Sequence, residues 1–455
     1  MNNPVLAIDI GTTNIISIVA SNDFNNKINI LGVGQAKSIG VQKGNIVDIN
    51  LAGNSIKEAV TAAKSSSGAQ MSKAVVSLSG ANTKTLRSVG TTNLPSGHIS
   101  HNDIKQVLKM ALYNAQVIAD YEVIHVLPVH FKVDDGAHIS NPLNMNGTTL
   151  QVSANIITAK KTSLTNINNA LKQLDLEVDK FVLTGYATSI AVLEEDQRNL
   201  GAVVINIGGS TTQFVVQKGS TIIYNDFIPI GSENITKDIS QTFHTPISAA
   251  NMIKKQYATL LPMKNDDASQ TNIKKVKLPI LGNESETKEI SLEQIQPVLH
   301  ARIEEILCLV HDKLKESAAI ESIDGGVVIT GGMAYIPGIK ELASLVFEGL
   351  PVKVSNPRNI QNGYVNFNMP TMSTIVGLLY YELSCENSFE LDSNGNLRDE
   401  QASVKKQIIQ EQNEEKNQNT QSQISDIQDI SSIKENIPKK EKPLSGIFNK
   451  LSRWL

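Results

Sequence analysis

Two apolar stretches of similar design lie in the two halves of this chain: AIDIGTTNIISIVA at residues 7–20 and VVINIGGSTTQFVV at residues 203–216. In each, a run rich in Ile and Val enters a turn made of Gly, Thr, Ser and Asn, and a second apolar run leaves it. This pattern predicts a β-hairpin. Two such hairpins in one chain favour a duplicated fold.

The two turns have a composition that suits phosphate. Glycine lets backbone N–H groups come close to an anion, and Thr and Ser hydroxyls add donors. For one hairpin alone, an ordinary turn capped by its own Asp9 is an equally good interpretation. Two turns that face each other across a cleft can hold a β/γ-phosphate pair, and Asp9 can hold Mg²⁺ directly or through water. The predicted phosphate-binding residues are Asp9, Gly11, Thr12, Thr13, Asn14, Asn206, Gly208, Gly209, Ser210 and Thr211.

A third element follows later in the chain, VVITGGMAYIPGIKEL at residues 327–342. It reads as a buried strand, a Gly-Gly turn and a helix. Gly331 and Gly332 have no side chain, so the backbone can press against a nucleoside and its α-phosphate at the helix start. Alone this is a common junction, but its order after two phosphate turns favours a nucleotide site.

Composition sets the broad class. The 455 residues are 40% hydrophobic, enough for several domains, and the net charge of -4 gives no overall basic field, so nucleic acid is not an expected partner. Cys308 and Cys385 follow no pairing rule, and the N-terminus lacks the features of a signal peptide. We therefore expect a cytoplasmic protein. His98 and His101 lack further ligands at metal-binding spacing and are interpreted as loop residues.

The order of predicted elements indicates an α/β protein with an insertion. Strand and helix signals alternate over residues 1–82, and a block with its own pattern, 83–161, predicts a small α+β domain. Helical stretches dominate 233–314, and a final helix ends the predicted folded part near residue 384. Residues 385–437 are mostly polar and predict a disordered linker.

The last residues, 438–455, have a different pattern. Large apolar residues recur here at helical spacing, and two basic residues, Lys450 and Arg453, flank them. The apolar residues are Leu444, Ile447, Phe448, Leu451, Trp454 and Leu455. This predicts an amphipathic helix that binds an anionic membrane surface. The alternative is a helix that docks on its own protein body.

Several segments resemble, in order, those of FtsA, a family of bacterial cell-division proteins in the actin, Hsp70 and sugar-kinase superfamily. They are AIDIGTTNI, GVQKGNIVDI, VSLSGANT, IHVLPVHFKVDD, NIGGST, ITGGMAYIPGI and the terminal amphipathic pattern. The resemblance implies a two-lobed, actin-like α/β ATPase fold with an FtsA-type insert. The implied subdomains are 1A (1–82 and 162–200), 1C (83–161), 2A (201–232 and 315–384) and 2B (233–314), followed by the linker (385–437) and the membrane helix (438–455).

The same resemblance implies a function. Such a protein binds ATP and Mg²⁺, polymerises into filaments, and lies at the division septum as a peripheral protein on the cytoplasmic side of the inner membrane. It recruits FtsZ through subdomain 2B, and it also helps to recruit later divisome proteins. A pilus-assembly protein like PilM is the nearer alternative. A sugar or acid kinase is the other, although no catalytic base is evident.

The resemblance also implies nucleoside contacts at Asn251, Lys254, Gly331, Gly332 and Met333. Two residues depart from the family pattern: Asn206 occupies the place of a usual Asp, and Asn251 that of a Glu near the ribose. Because an asparagine brings no negative charge to Mg²⁺ or to an attacking water, we expect ATP binding with weak or no hydrolysis.

Overall fold

The computed structural model describes residues 4–23, 27–261, 275–360, 366–384 and 389–398. The strands are β1 (Val5–Ile10), β2 (Asn14–Asn22), β3 (Ile28–Lys37), β4 (Val41–Gln42), β5 (Asn45–Ile46), β6 (Lys73–Leu78), β7 (Thr83–Asn93), β8 (Tyr121–Val133), β9 (Thr149–Lys160), β10 (Glu177–Leu183), β11 (Ala202–Ile207), β12 (Thr212–Lys218), β13 (Thr221–Ile228), β14 (Lys275–Ile280), β15 (Asn283–Ser291), β16 (Val327–Thr330) and β17 (Val352–Val354). The α-helices are α1 (Ile49–Ser67), α2 (His101–Asn114), α3 (Lys161–Lys172), α4 (Thr184–Val192), α5 (Glu195–Leu200), α6 (Ser232–Thr242), α7 (Ile247–Tyr257), α8 (Leu292–Glu316), α9 (Ile339–Val346) and α10 (Ser373–Leu383). Short 3-10 helices span Ala319–Ser322, Gly332–Tyr335 and Pro370–Met372.

Two five-stranded sheets share one plan. In the first, β3, β2 and β1 form an antiparallel meander, and β6 and β10 continue in parallel from β1. In the second, β13, β12 and β11 form the meander, and β16 and β17 continue in parallel. The predicted duplication is therefore confirmed at the level of sheet order.

Helices α4 and α10 lie between the two sheets. Every residue of α4 is buried, and the core around the two helices contains residues of both sheets, such as Ala7 and Val204. The helices pack closely because α10 has Gly377 at the contact, where a Cβ atom would lie 1.7 Å from the Ala187 carbonyl oxygen. Any other residue at position 377 would push the two helices apart.

The insert is a three-stranded sheet, β7-β9-β8, with α2 on one face. On that face Val126 and Ile156 pack with α2, and on the other face Leu127 and Ile157 join the core between the two large sheets. Strand β7 was not predicted, because its sequence TKTLRSVGTTN has few large apolar residues. The strand forms because it pairs with β9 along its full length, and its own side chains do not predict it.

Residues 233–314 combine helices with a hairpin. Helices α6, α7 and α8 confirm the predicted helical character, and α8 buries one apolar stripe that includes Ile295, Leu299 and Ile303. The hairpin β14–β15 was not predicted, since β15 reads NESETKEIS and has one large apolar residue. This strand forms because it pairs with β14, and its own composition does not predict it.

The predicted start of the linker at residue 385 is wrong for residues 389–398. Phe389, Leu391 and Leu397 are buried in the core of the insert, and Glu390 is fully buried. With Asp392, five of these ten residues are buried, which an average composition does not reveal. Residues 399–455, with the rest of the predicted linker and the amphipathic helix, lie outside the described residues, as does Cys385. Among the described helices, none has the length and apolarity needed to cross a membrane.

Candidate functional site

The two glycine-tipped turns are in direct contact. The Ser210 backbone N–H donates to the Thr12 hydroxyl at 3.1 Å. A Cβ atom on Gly209 would lie 2.1 Å from Thr13 Oγ1, so only glycine allows this approach. The structure thus brings Thr12, Thr13, Gly209 and Ser210 to one place between the sheets.

Strand pairing determines the length of each turn, and a close backbone approach determines the need for glycine in the first. The first hairpin closes with the pair Ile10–Ile15 and the second with Ile207–Thr212, which leaves four turn residues in each. A Cβ atom on Gly11 would lie 2.6 Å from the Asn14 carbonyl oxygen, so the first turn requires glycine.

The second turn is fixed to a helix. The carbonyl oxygens of Gly208 and Gly209 accept from the N–H groups of Ser232 and Glu233, the first two residues of α6. These donors would otherwise be unpaired at a helix N-terminus, so the turn and the helix stabilise each other.

Lys43 adds a third loop to the same place, and sequence reasoning missed it. Its backbone N–H, in the two-residue turn between β4 and β5, donates to the Ser210 hydroxyl at 3.0 Å. Lys43 and Gly44 both have positive φ, 47° and 75°, which is typical of a type I′ turn. Lysine is uncommon in this conformation, so the pair Lys43–Gly44 is a weak sequence signal for the turn.

Asp9 is the one carboxylate among the predicted phosphate-binding residues. The Ser77 hydroxyl donates to its Oδ1 at 2.7 Å and accepts from the Ile10 N–H at 3.0 Å. Burial raises the pKa of Asp9 to about 6, and the Ser77 hydrogen bond opposes that rise. A partly buried carboxylate of this kind is stabilised by a nearby cation, and its hard oxygens fit Mg²⁺ bound directly or through water.

Ser77 was not predicted as a site residue. It lies on β6, which runs parallel to β1. Only the sheet order brings it beside Asp9, because 68 positions separate the two along the chain.

Asn206 faces the helices between the sheets. Its Nδ2 lies 3.3 Å from the Thr188 hydroxyl on α4 and 3.4 Å from the Thr374 hydroxyl on α10. A Cβ atom on Gly331 would lie 2.4 Å from Asn206 Oδ1. The structure therefore places Asn206 and Gly331 side by side and pairs the amide with neutral hydroxyls.

The strand-Gly-Gly element differs in part from the prediction. Gly331 has a φ of 90°, and Gly332 begins a 3-10 helix that includes the buried Met333. The α-helix, α9, begins only at Ile339, after Pro337 and Gly338. The predicted helix start at the Gly-Gly turn is thus a single 3-10 turn.

Lys254 approaches the second turn through α6. Its Nζ donates to the Ser232 carbonyl oxygen at 2.8 Å. Burial lowers the pKa of Lys254 to about 8, and the charge of Glu233 opposes that fall. Asn251 lies one turn earlier on α7 and is partly buried. Glu233, which sequence reasoning missed, therefore lies between Lys254 and the Gly209 turn.

Solved structures with a similar backbone support the fold. The PilM-PilN type IV pilus biogenesis complex matches with a TM-score of 0.58 at 13% identity, over 84% of this chain and 100% of that one. MreB5 of Spiroplasma citri bound to ADP matches with a TM-score of 0.51 at 14% identity, over 84% and 97%. At such low identity these matches speak for the fold alone, and they confirm the expected actin-like architecture.

The sequence comparisons identify the family. The family model described as Cell division protein FtsA matches residues 203–377, and the model of the SHS2 domain inserted in FTSA matches residues 80–158. Cell division protein FtsA of Helicobacter pylori (strain J99) is 31% identical over 423 residues, 87% of this chain and 85% of that protein. The Pseudomonas aeruginosa protein of the same name is 30% identical over 379 residues, 83% and 89%. This chain, with its duplicated sheets, paired glycine turns and inserted SHS2 domain, belongs to the FtsA family of cell division proteins.

Proposed function

We propose that this chain binds ATP with Mg²⁺ between its two sheets. The observation that carries the proposal is the contact of two equivalent turns, in which the Thr12 hydroxyl is paired with the Ser210 N–H. Both groups can form hydrogen bonds to phosphate, and in this structure they are hydrogen-bonded to each other. The fold match to an MreB5 structure described as bound to ADP supports nucleotide binding by this chain.

In this proposal the two turns bind the phosphates, and Asp9 holds Mg²⁺ directly or through water. When bound, Mg²⁺ neutralises phosphate charge. The nucleoside lies near Gly331, Gly332 and Met333, with Asn251 and Lys254 on the side of α7. Entry of the phosphates requires the Thr12–Ser210 contact to open. In this proposal the two sheets move apart about the packed helix pair α4 and α10.

Calorimetric titration with Mg-ATP tests this assignment. The double variant Thr12→Ala, Ser210→Ala removes two hydroxyls from the turns and should weaken binding by roughly a hundredfold or more, since each hydrogen bond to a charged group contributes about 1.5–3 kcal/mol. Thr165→Ala on the exposed side of α3 is the matched control and should bind as wild type does. Equal affinity of the double variant and wild type would refute the assignment.

We also infer that the protein acts in division as an adaptor that polymerises, attaches to the cytoplasmic side of the inner membrane at the septum, and connects FtsZ and later divisome proteins to it. FtsA family membership supports this, as does the amphipathic pattern at residues 444–455. A single amphipathic helix binds reversibly, whereas a filament presents many copies and gains avidity.

Co-sedimentation tests the membrane and partner parts separately. Deletion of residues 443–455 should release the protein from anionic liposomes, and unchanged sedimentation would exclude the helix as the anchor. A pull-down with purified FtsZ should succeed with both forms. Failure of FtsZ binding would favour a PilM-like role or a kinase, since neither requires FtsZ.

A further inference from the structure

Residues 389–398, called the clasp here, form a small hairpin on the insert. Leu391 exchanges two backbone hydrogen bonds with Val126 of β8, at 3.0 and 3.1 Å, and forms an antiparallel bridge with Leu397. Asp392 Oδ1 accepts from the N–H groups of Asn394 and Asn396, both at 2.9 Å, and so closes the turn. The clasp therefore extends the sheet of an insert that lies far earlier in the chain.

A buried ion pair fixes the clasp. Glu390 accepts hydrogen bonds from Tyr186 at 2.7 Å and Tyr381 at 2.6 Å, and it lies 3.4 Å from both Arg398 and His125. Burial opposes its ionisation, but Arg398, His125 and the tyrosine hydroxyl together lower the pKa of Glu390 to about 2. The carboxylate is thus charged and paired at neutral pH, and loss of either charge would remove the ionic partner that offsets the burial of the other.

The partners of the clasp belong to three parts of the molecule. Tyr186 lies on α4 and Tyr381 on α10, the two helices between the sheets. Ser393 accepts from the Phe181 N–H of β10 at 3.1 Å. Arg398 lies over the Tyr381 ring, 3.9 Å from its centre. Together with β8, these contacts connect the insert to both the first sheet and the helix pair.

We propose that the clasp anchors the chain that leads to residues 399–455 on the insert, so that membrane attachment restrains the insert and the α4–α10 pair together. The proposal rests on the proposed membrane attachment. Without the clasp, the last described residue held against the body would be Ser384 rather than Arg398. That would add fourteen residues (385 to 398) and about 45–50 Å of extended chain between body and membrane.

The test compares Glu390→Gln with a matched control, Glu289→Gln, which neutralises one partner of an exposed ion pair with Lys275. Hydrogen exchange in the full chain should be at least about tenfold faster at Leu391 and Val126 in Glu390→Gln, and unchanged in the control. Ser393→Ala, which removes one hydrogen bond, is the milder second variant should Glu390→Gln fail to fold. Wild-type exchange rates in both clasp variants would overturn the proposal.

A second readout measures the coupling. A fluorescent amino acid at Tyr113, which is 81% exposed on the insert, reports energy transfer to a dye in anionic vesicles. Clasp variants should bind vesicles as wild type does but with lower transfer, since their tether is longer. Equal transfer would overturn the coupling. If wild type itself failed to bind vesicles, both the membrane function and the coupling would be overturned. Hydrogen exchange measured without lipid still tests the clasp, so this failure is distinguishable from a failed clasp.

Discussion

The two halves of the site carry different charges at one pair of equivalent positions of the same scaffold. Asp9 and Asn206 each lie two residues before the first glycine of their turn, on strands with the same place in their sheets. Asp9 is a carboxylate that burial makes costly to ionise. Asn206 is a neutral amide between two hydroxyls. Equivalent backbone positions therefore carry opposite requirements for charge.

The hydrogen bonds explain why the two residues are not interchangeable. The Thr188 hydroxyl donates to the Thr184 carbonyl oxygen at 2.7 Å, so toward Asn206 it acts as an acceptor. An amide N–H fits that acceptor, and a carboxylate does not. At the first turn the Ser77 hydroxyl donates to Asp9, so the carboxylate fits there. The proposed cation therefore belongs at the first turn, whereas the second turn contacts the α4–α10 pair.

Removing the charge of the first turn should have the largest effect. Because the pKa of Asp9 in the folded protein is about 6, above its ordinary value of 3.8, the free energy of unfolding should fall as pH rises from about 4 to 6 and stay lower above that range. Asp9→Asn should abolish this fall and stabilise the ligand-free protein at pH 7 by up to about 3 kcal/mol.

Urea unfolding between pH 4 and pH 8 measures this effect. The same variant should lose the Mg²⁺ dependence of ATP binding. Asp135→Asn, at a fully exposed position, is the control and should leave the pH profile unchanged. A wild-type profile in Asp9→Asn would show that the two turns do not differ in charge requirement.

Separating the two turns comes next. Gly209→Ala places a methyl group where Thr13 now lies, in the space that a phosphate would enter. Overpacking of this kind against a bound phosphate costs about 1–3 kcal/mol, so Mg-ATP affinity should fall by roughly tenfold to a hundredfold. Calorimetric titration checks this, with Gly80→Ala as the control, because its nearest neighbour would lie at 3.6 Å. Equal affinities for both variants would argue against phosphate between the turns.

Making the second turn resemble the first gives an intermediate effect. Asn206→Asp places a carboxylate opposite the Thr188 acceptor and should destabilise the protein by about 1–3 kcal/mol in thermal or urea unfolding. The same change restores the charge expected near Mg²⁺ and should increase phosphate release from ATP. Asn206→Ala, which removes the amide without adding charge, should destabilise without that increase. No gain in phosphate release by Asn206→Asp would contradict the link between Asn206 and slow hydrolysis.

The sequence predicted what depends on local pattern. Both hairpins follow from apolar runs around glycine turns, and the insert follows from the apolar spacing that includes Ile104 and Val107. Ser77, Lys43 and Glu233 were missed because sheet order and turn packing bring them to the site. The clasp was missed for the same reason, since Glu390 becomes meaningful only beside Tyr186 and Arg398. Contacts between distant parts of the chain give these residues their roles, and a local sequence pattern does not reveal such contacts.

The support beneath Asp9 should give the smallest effect and refine the comparison. Ser77→Ala removes the donor to Asp9 and the acceptor for the Ile10 N–H. Because a hydrogen bond contributes about 1 kcal/mol net, Mg-ATP affinity should fall about fivefold while the protein stays folded. Ser77→Thr keeps the hydroxyl and should restore binding. If Ser77→Ala instead matched Asp9→Asn in Mg²⁺ dependence, the serine would act as a ligand itself, and Asp9 of β1 and Ser77 of β6 would hold the cation together.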